Sequence, residues 1–314
     1  MKNTNLIRAY PFAMLILLAG PGAARATENG NQHYPVGLMT ASGSVMPSPG
    51  TAEFYNYNAI YSADRFNDDQ GHKLMPQFNL NVKVEASRLI YTWPAEWNGF
   101  TISSSVAVNA FDTRLDVDGA HGHAFQLADT DLAPVMVQWT NHKTMHVTVA
   151  PNFWLPTGAY KPGRVVNAGL NYASMDMEVG ATWTPTKRLE IGVDSWTGFA
   201  LGANTATGYR SGNTFAADFI VGWKPLKHVP QLQLGLQGDV FRQFSDDTLN
   251  GLRVGPTGFR GRQNALGPQV RWNFGPGKGI VLKYQREFDV ANRPEGNKFW
   301  LEFALPIGRR FRGE

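Results

Sequence analysis

Twelve short stretches in which apolar and polar residues alternate one for one run through this 314-residue chain, joined in turn by a long polar connection and a short one. Period-two alternation is the pattern of a strand, because successive side chains leave a pleated backbone on opposite sides. In FNLNVKVEA, Phe78, Leu80, Val82, Val84 and Ala86 take one side, and Asn79, Asn81, Lys83 and Glu85 the other. Leu232, Leu234 and Leu236 alternate with Gln231, Gln233 and Gln237, and Phe299, Leu301, Phe303 and Leu305 alternate with Lys298, Trp300 and Glu302. The pattern predicts strands at 51–62, 77–92, 99–112, 129–140, 143–155, 168–183, 188–199, 213–224, 231–244, 263–274, 279–288 and 297–306. Each has one greasy face and one wet face.

A soluble sandwich alternates in the same way, so further features have to decide. The chain opens with Lys2 and Arg8, continues with the apolar run FAMLILLAG from Phe12 and reaches Ala24-Arg25-Ala26. That is the pattern of a cleaved export signal, residues 1–26, with the mature chain starting near Thr27. No other run approaches the roughly 20 apolar residues of a membrane helix. The formal charge of +4 rests on the signal: without Lys2, Arg8 and Arg25, the 29 basic residues fall to 26 against 25 acidic ones. A nearly neutral mature chain does not fit a nucleic-acid partner. With no cysteine, neither a disulfide framework nor a thiolate metal site is available.

The fold expected is therefore all-β: a transmembrane antiparallel up-and-down β-barrel of about 12 strands, with short periplasmic turns and long extracellular loops. Hydrophobic residues make up 43% of the chain, which suits a wall with lipid on one side and water on the other. Trp93, Trp97, Trp139, Trp154, Trp183, Trp223, Trp272 and Trp300 sit near strand ends, where aromatic girdles at the two interfaces are expected. An even strand number puts both termini on one side. The short connections are WNG near Trp97, TNHK from Thr140, TPTK from Thr184, KPLKHVP from Lys224 and GPGKG from Gly275. The long ones are 63–76, 113–128, 156–167, 200–212, 245–262 and 289–296. The domain layout is a signal at 1–26, a lead-in at 27–50, the barrel at 51–306 and a basic tail at 307–314. Many barrels end on a terminal aromatic; here Phe303 is followed by LPIGRRFRGE, so either the tail hangs free or Phe303 or Phe311 serves that role.

Several loop and strand segments carry a family likeness. LPTGAY from Leu155, NTATGYRSG from Asn204, RQFSDD from Arg242, GPQVRW from Gly267, KYQREF from Lys283 and NRPEGNKFW from Asn292, with PSPGTAEFYNY from Pro47, resemble the phenol MetA-pathway degradation protein family. Its members are outer-membrane transporters often encoded beside catabolic enzymes for aromatic compounds. The resemblance implies outer-membrane transport of a small, hydrophobic or aromatic cargo, without fixing the cargo.

From the residues themselves, the candidates for a path are polar side chains on the wet faces: Lys83, Glu85, Asp218, Asp239, Lys283, Gln285, Glu287 and Glu302. Charges of both signs in a lumen are either paired with one another or line a selective, water-filled path, because an unpaired charge in a dry interior is costly. Arg286 shares the parity of Leu282 and Tyr284 and belongs near an interface, and Arg242 at the outer rim. Candidates for a gate are Lys161 and Arg164, in a bend that is a plain loop or folds into the pore, and Arg210, placed to clamp Asp246 and Asp247 of the next outer loop.

Catalysis has little support in the sequence. His121 and His123 with Asp116 and Asp118 form a polar loop more readily than a metal site, and Ser245 beside Asp246 and Asp247 has no partner histidine nearby in sequence. No nucleophile elbow, zinc-helix motif or phosphate-binding glycine loop occurs. The reading is a passive channel for small molecules, with no catalytic residue, metal or cofactor and with membrane lipid around it. The alternatives are a barrel enzyme acting on lipids and a structural barrel with a plugged lumen.

Overall fold

The structure, a computed structural model, describes residues 31–39 and 41–307. The expected signal segment and the tail with Phe311 lie outside the described residues. Sixteen strands follow in order: β1 (Thr51–Phe66), β2 (Phe78–Trp97), β3 (Phe100–Val117), β4 (Ala120–Leu127), β5 (Thr130–Thr140), β6 (Met145–Leu155), β7 (Ser174–Thr186), β8 (Leu189–Ala200), β9 (Tyr209–Arg210), β10 (Thr214–Trp223), β11 (Leu232–Gln243), β12 (Thr248–Leu249), β13 (Leu252–Arg253), β14 (Arg262–Gly275), β15 (Lys278–Ala291) and β16 (Pro294–Ile307). Twelve of them make one antiparallel wall. From β2 the order runs through β1 to β16 and back down the chain to β3, and the β2–β3 pairing closes the circle. Closure leaves no strand edge in the membrane, so the backbone groups of the wall bond from strand to strand around the circle except at a few breaks. Among the described residues no helix is long and apolar enough to span a bilayer.

All five short connections fall at the end of the barrel where β1 starts and β16 finishes, as the even strand count requires. At the β2–β3 turn, Asn98 (φ 49°) and Gly99 (φ 82°) both take the left-handed conformation that a two-residue hairpin demands. Trp93, Trp97, Trp183, Trp223 and Trp272 point outward near this end and are 39–75% exposed, forming one aromatic girdle. Trp154 and Trp300 depart from the girdle expectation. Both are buried inside the barrel, because their strand parity is the inward one and the lumen offers apolar neighbours.

The opposite end differs from the sequence reading in two places. Residues 113–128 are not an irregular loop: β3 and β4 pair from Ala110–Leu127 to Val117–Ala120 as a hairpin that continues the wall beyond the membrane. The segment 289–296 is not a long loop either, since Ala291 and Pro294 flank a two-residue turn with Asn292 at φ 53°. The loops after β8 and β11 join in a small sheet, where β12 pairs with both β9 and β13.

The wall is interrupted where proline enters it, because proline brings no N–H to a ladder. Around Pro134, four residues of β5 face three of β6, and the register shifts between Leu132 and Val137. At Gly267–Pro268 the β14–β15 pairing skips two positions. The Tyr284 carbonyl on the far side accepts a hydrogen bond from Gln237 Nε2 in the lumen at 2.9 Å instead.

Candidate functional site: the plugged lumen

The lead-in segment does not stay outside the barrel. From Gly50, which hydrogen-bonds Thr92 at the short-turn end, the chain runs back through the lumen to His33 and Gln32 near the long loops. Tyr34, Val36, Leu38, Met39 and Met46 are each less than 9% exposed. Tyr34, Val36, Leu38 and Met39 form one apolar cluster with Tyr57, Trp154, Trp196, Phe241 and Trp300 of the wall. Tyr34 stacks on Trp196 with ring centroids 4.2 Å apart, and His33 on Trp154 at 5.3 Å.

A segment in the middle of a lumen has no neighbouring strand, so apart from two turns of its own, Leu38 N to Pro35 O and Val45 N to Ser42 O, its backbone groups need side-chain partners. The wall supplies them with a division by charge. The arc from β7 to β11 is acidic, with Asp176, Glu178, Glu190, Asp194, Asp218 and Asp239 all buried, and it takes the plug's N–H groups. Gly37 N and Met39 N donate to the two oxygens of Asp218 at 2.8 and 2.9 Å, with the Tyr34 hydroxyl joining at 2.6 Å. Ser42 N donates to Glu190 at 2.6 Å and Ser44 Oγ to Asp194 at 3.2 Å. The arc of β15 and β16 carries Lys283 and Lys298, which donate to the carbonyls of Leu38 and Val36 at 2.8 and 3.0 Å. Ser44 O takes bonds from Gln138 and Thr148.

Charges left over pair across the lumen. Lys283 lies 2.5 Å from Glu302 and 5.0 Å above the Trp300 ring. Lys298 reaches Asp239 and Glu287, both at 3.3 Å, and Arg88 faces Glu178 at 3.7 Å. Two glycines let the plug pass these carboxylates. Gly37 has φ 92°, and a Cβ there would meet the Gln285 amide and the Asp239 carboxylate; a Cβ at Gly43 would run into Asp194.

Of the eight residues expected on the path, six line the lumen: Asp218, Asp239, Lys283, Gln285, Glu287 and Glu302 are all buried there. Lys83 and Glu85 do not. In β2 the even residues Phe78, Ala86, Arg88, Ile90 and Thr92 face inward, so the odd ones face out, and Lys83 pairs with Asp112 on the outer surface. A strand of 20 residues is about twice as long as a membrane-spanning one needs to be. Its upper half stands clear of the bilayer, so water wets its outside while its inside packs on Phe66 and Met75.

The expected gate residues are placed differently too. The side chains of Lys161 and Arg164 are exposed on the surface, while Leu170 and Tyr172 of the same loop fold inward. Arg210 bonds the Ala200 carbonyl rather than an acid. The two loops are still locked together, by Asp247, which is buried and accepts from the Tyr209 hydroxyl, Gly212 N and Gln243 Nε2. Asp246 pairs outside with Arg253 and Arg260. Arg286 is exposed and 3.7 Å from Glu295, and Arg242 bonds rim carbonyls. His121 and His123 pair singly with Asp116 and Asp112, and no cluster of three potential metal ligands occurs among the described residues.

The plug itself was missed by sequence reasoning. Its signal was present: Tyr34, Val36 and Leu38 alternate like a strand, yet lie outside the even set of strands that a barrel needs. A serine, a histidine and an aspartate also meet at its upper end, where His33 lies 2.7 Å from Ser174 Oγ and 3.0 Å from Asp129. Asp129 further accepts from Gly158 N and Leu170 N, so the histidine fastens the plug to a folded loop.

The family model described as "Putative MetA-pathway of phenol degradation" matches residues 63–303. The chain belongs to that family. Among solved structures, the COG4313 outer membrane channel from Pseudomonas putida F1 superposes with a TM-score of 0.74 at 14% identity, over 85% of this chain and 98% of that one. The β domain of the Bordetella autotransporter BrkA (TM-score 0.49, 11% identity, 82% and 100% of the two chains) and the NanC porin (0.44, 11%, 81% and 100%) share only a loose barrel outline. The comparison with curated proteins gives no match. The family and the fold place this barrel among outer-membrane channels, with its short turns toward the periplasm.

Proposed function

We propose that this family member is a passive uptake channel for small hydrophobic or aromatic molecules, gated by its own N-terminal segment. The observation that carries the reading is the way the plug is held. Its backbone groups are satisfied by side chains of a wall that closes without it, so the plug can leave its seat with the barrel intact. The lumen thus exposed has aromatic surfaces from Tyr57, Trp154, Trp196, Phe241 and Trp300, beside the ion pairs Lys283–Glu302 and Lys298–Asp239 and the acids Asp218, Glu190 and Asp194 that had held the plug. Such a lining offers weak, multi-site contact to an apolar solute, the condition for entering and leaving. No catalytic step is needed in this reading, and the family's name supports an aromatic cargo.

The test is flux through the refolded protein in liposomes with a lipopolysaccharide outer leaflet, comparing small aromatic solutes with sugars and amino acids of similar size. Faster aromatic entry is expected. Flux ordered by size alone would replace selective uptake with a general pore.

The filled lumen also favours a second reading, a structural barrel whose plug never moves. Absence of flux for every solute, together with a plug that stays protected from exchange, would move the assignment there.

A further inference from the structure

Three neighbouring turns at the periplasmic end repeat one spacing. WTNHK from Trp139 joins β5 to β6, WTPTK from Trp183 joins β7 to β8, and WKPLK from Trp223 joins β10 to β11, each with a lysine four residues beyond a tryptophan. Trp183 and Trp223 belong to the girdle, and Trp139 shares the outward parity of Val137. We infer that these three turns form a docking surface for the anionic phospholipid headgroups of the inner leaflet, such as phosphatidylglycerol.

The charge on this surface is unspent. Lys143, Lys187 and Lys227 are exposed, and the segments 140–146, 183–189 and 223–231 contain no acid. Glu96, at the end of β2, is taken by His142 at 3.1 Å. The outer end is different: there Arg65, Arg242, Arg253, Arg260, Arg262 and Arg286 each lie 2.7–3.7 Å from a carboxylate.

The surface is also continuous. Thr184 N donates to the Thr144 carbonyl at 2.7 Å, and Lys224 N to the Arg188 carbonyl at 2.9 Å, so each turn is stitched to the next. Arg188 completes the second seam by donating to the carbonyls of Lys224 and Pro225 at 2.8 and 2.6 Å, with its guanidinium 5.2 Å from the centre of the Trp223 ring. The β2–β3 turn brings no basic residue and the β14–β15 turn only Lys278, so the attraction is one-sided.

Height selects lipid over an acidic protein. Girdle tryptophans sit at headgroup level, and a lysine four residues further out meets the phosphates with a compact charge and three donors. Juxtamembrane clusters of this kind gain from an anionic leaflet. A protein covering the lysines would also have to displace lipid from the tryptophans beside them.

The test is electron spin resonance of spin-labelled phosphatidylglycerol and phosphatidylethanolamine around the refolded full barrel in phosphatidylcholine membranes. Phosphatidylglycerol should associate about fivefold more strongly at low salt, and the preference should fall toward parity at about 0.5 M salt, where exposed charges are screened. The triple variant Lys143→Gln, Lys187→Gln, Lys227→Gln should lose it, whereas Lys161→Gln with Arg164→Gln, exposed at the other end, should keep it. Equal association of the two lipids in the parent, a preference that survives salt or the triple variant, or equal loss in the outer-end variant would each overturn the inference. Tighter retention of a soluble polyglutamate peptide than of phosphatidylglycerol would overturn it in favour of an acidic protein partner.

Discussion

Asp218 shows how much one lumenal side chain carries. Its two carboxylate oxygens receive three donors, and two of these are plug amides that have no strand to bond instead. In Asp218→Ala those donors are left buried and unmet, which costs about 2 kcal/mol or more and corresponds to roughly a thirtyfold rise in the unseated fraction. Hydrogen exchange at Gly37 and Met39 should accelerate accordingly while the wall amides of β10 stay protected; equal protection in the variant would count against the seat. Gly37→Ala should act in the same direction, because φ 92° is strained for any residue with a Cβ and the space is already filled. At the outer surface Asp68 accepts the His72 and Gln70 amides at 2.8 and 2.9 Å, and the His72 bond above all holds its carboxyl below the ordinary value. A depressed carboxyl supports the folded loop above the unfolded value of about 4 and ceases to do so as pH falls through the lowered folded value. Protection of the Gln70 and His72 amides should therefore be complete at neutral pH and fade in acid, and Asp68→Ala should lack it at every pH. Single residues were legible where parity decided them, as for Lys283, Gln285 and Glu287. Their partners were not, because a lumenal charge does not announce that a segment hundreds of residues away lies across from it.

Strands reward period-two reading as long as one side is lipid and the other is lumen. That holds through the membrane band of β11, β15 and β16, whose leucines and phenylalanines point out where the sequence placed them. It fails in the upper half of β2, where polar residues face outside water and apolar ones face packed protein, so the same alternation has the opposite meaning. Strand length is the physical cue, since 20 residues exceed what a bilayer covers. The break between β14 and β15 carries its own prediction. Gln237 substitutes for the N–H that Pro268 lacks, so Gln237→Leu removes the donor to the Tyr284 carbonyl and should cost about 1 to 3 kcal/mol. Urea unfolding of the refolded barrel measures this, and exchange at Lys283 to Arg286 should rise before that of the other hairpins. A variant as stable as the parent, with unchanged exchange, would mean that the break needs no repair.

A closed wall and a separate plug make two bodies from one chain, and whether they move apart decides between gated uptake and a permanently filled barrel. The charge division of the lumen bears on this directly. Acids on one arc accept the plug's amides and lysines on the other donate to its carbonyls, so removing the plug leaves the two arcs facing each other across water, where opposite charges are well solvated. Opening then exposes no large apolar face without offering it to an apolar solute. A covalent tether puts the question in a form with one variable. The chain has no cysteine of its own, and Ser44 Oγ lies 3.2 Å from Asp194 Oδ1, so Ser44→Cys with Asp194→Cys brings two thiols together between plug and wall. Oxidised and reduced samples of that one protein differ only in whether the plug can leave. Aromatic flux at least tenfold faster in the reduced sample is the expected outcome. Equal flux in both would place the path beside a stationary plug, and would remove gating while keeping transport.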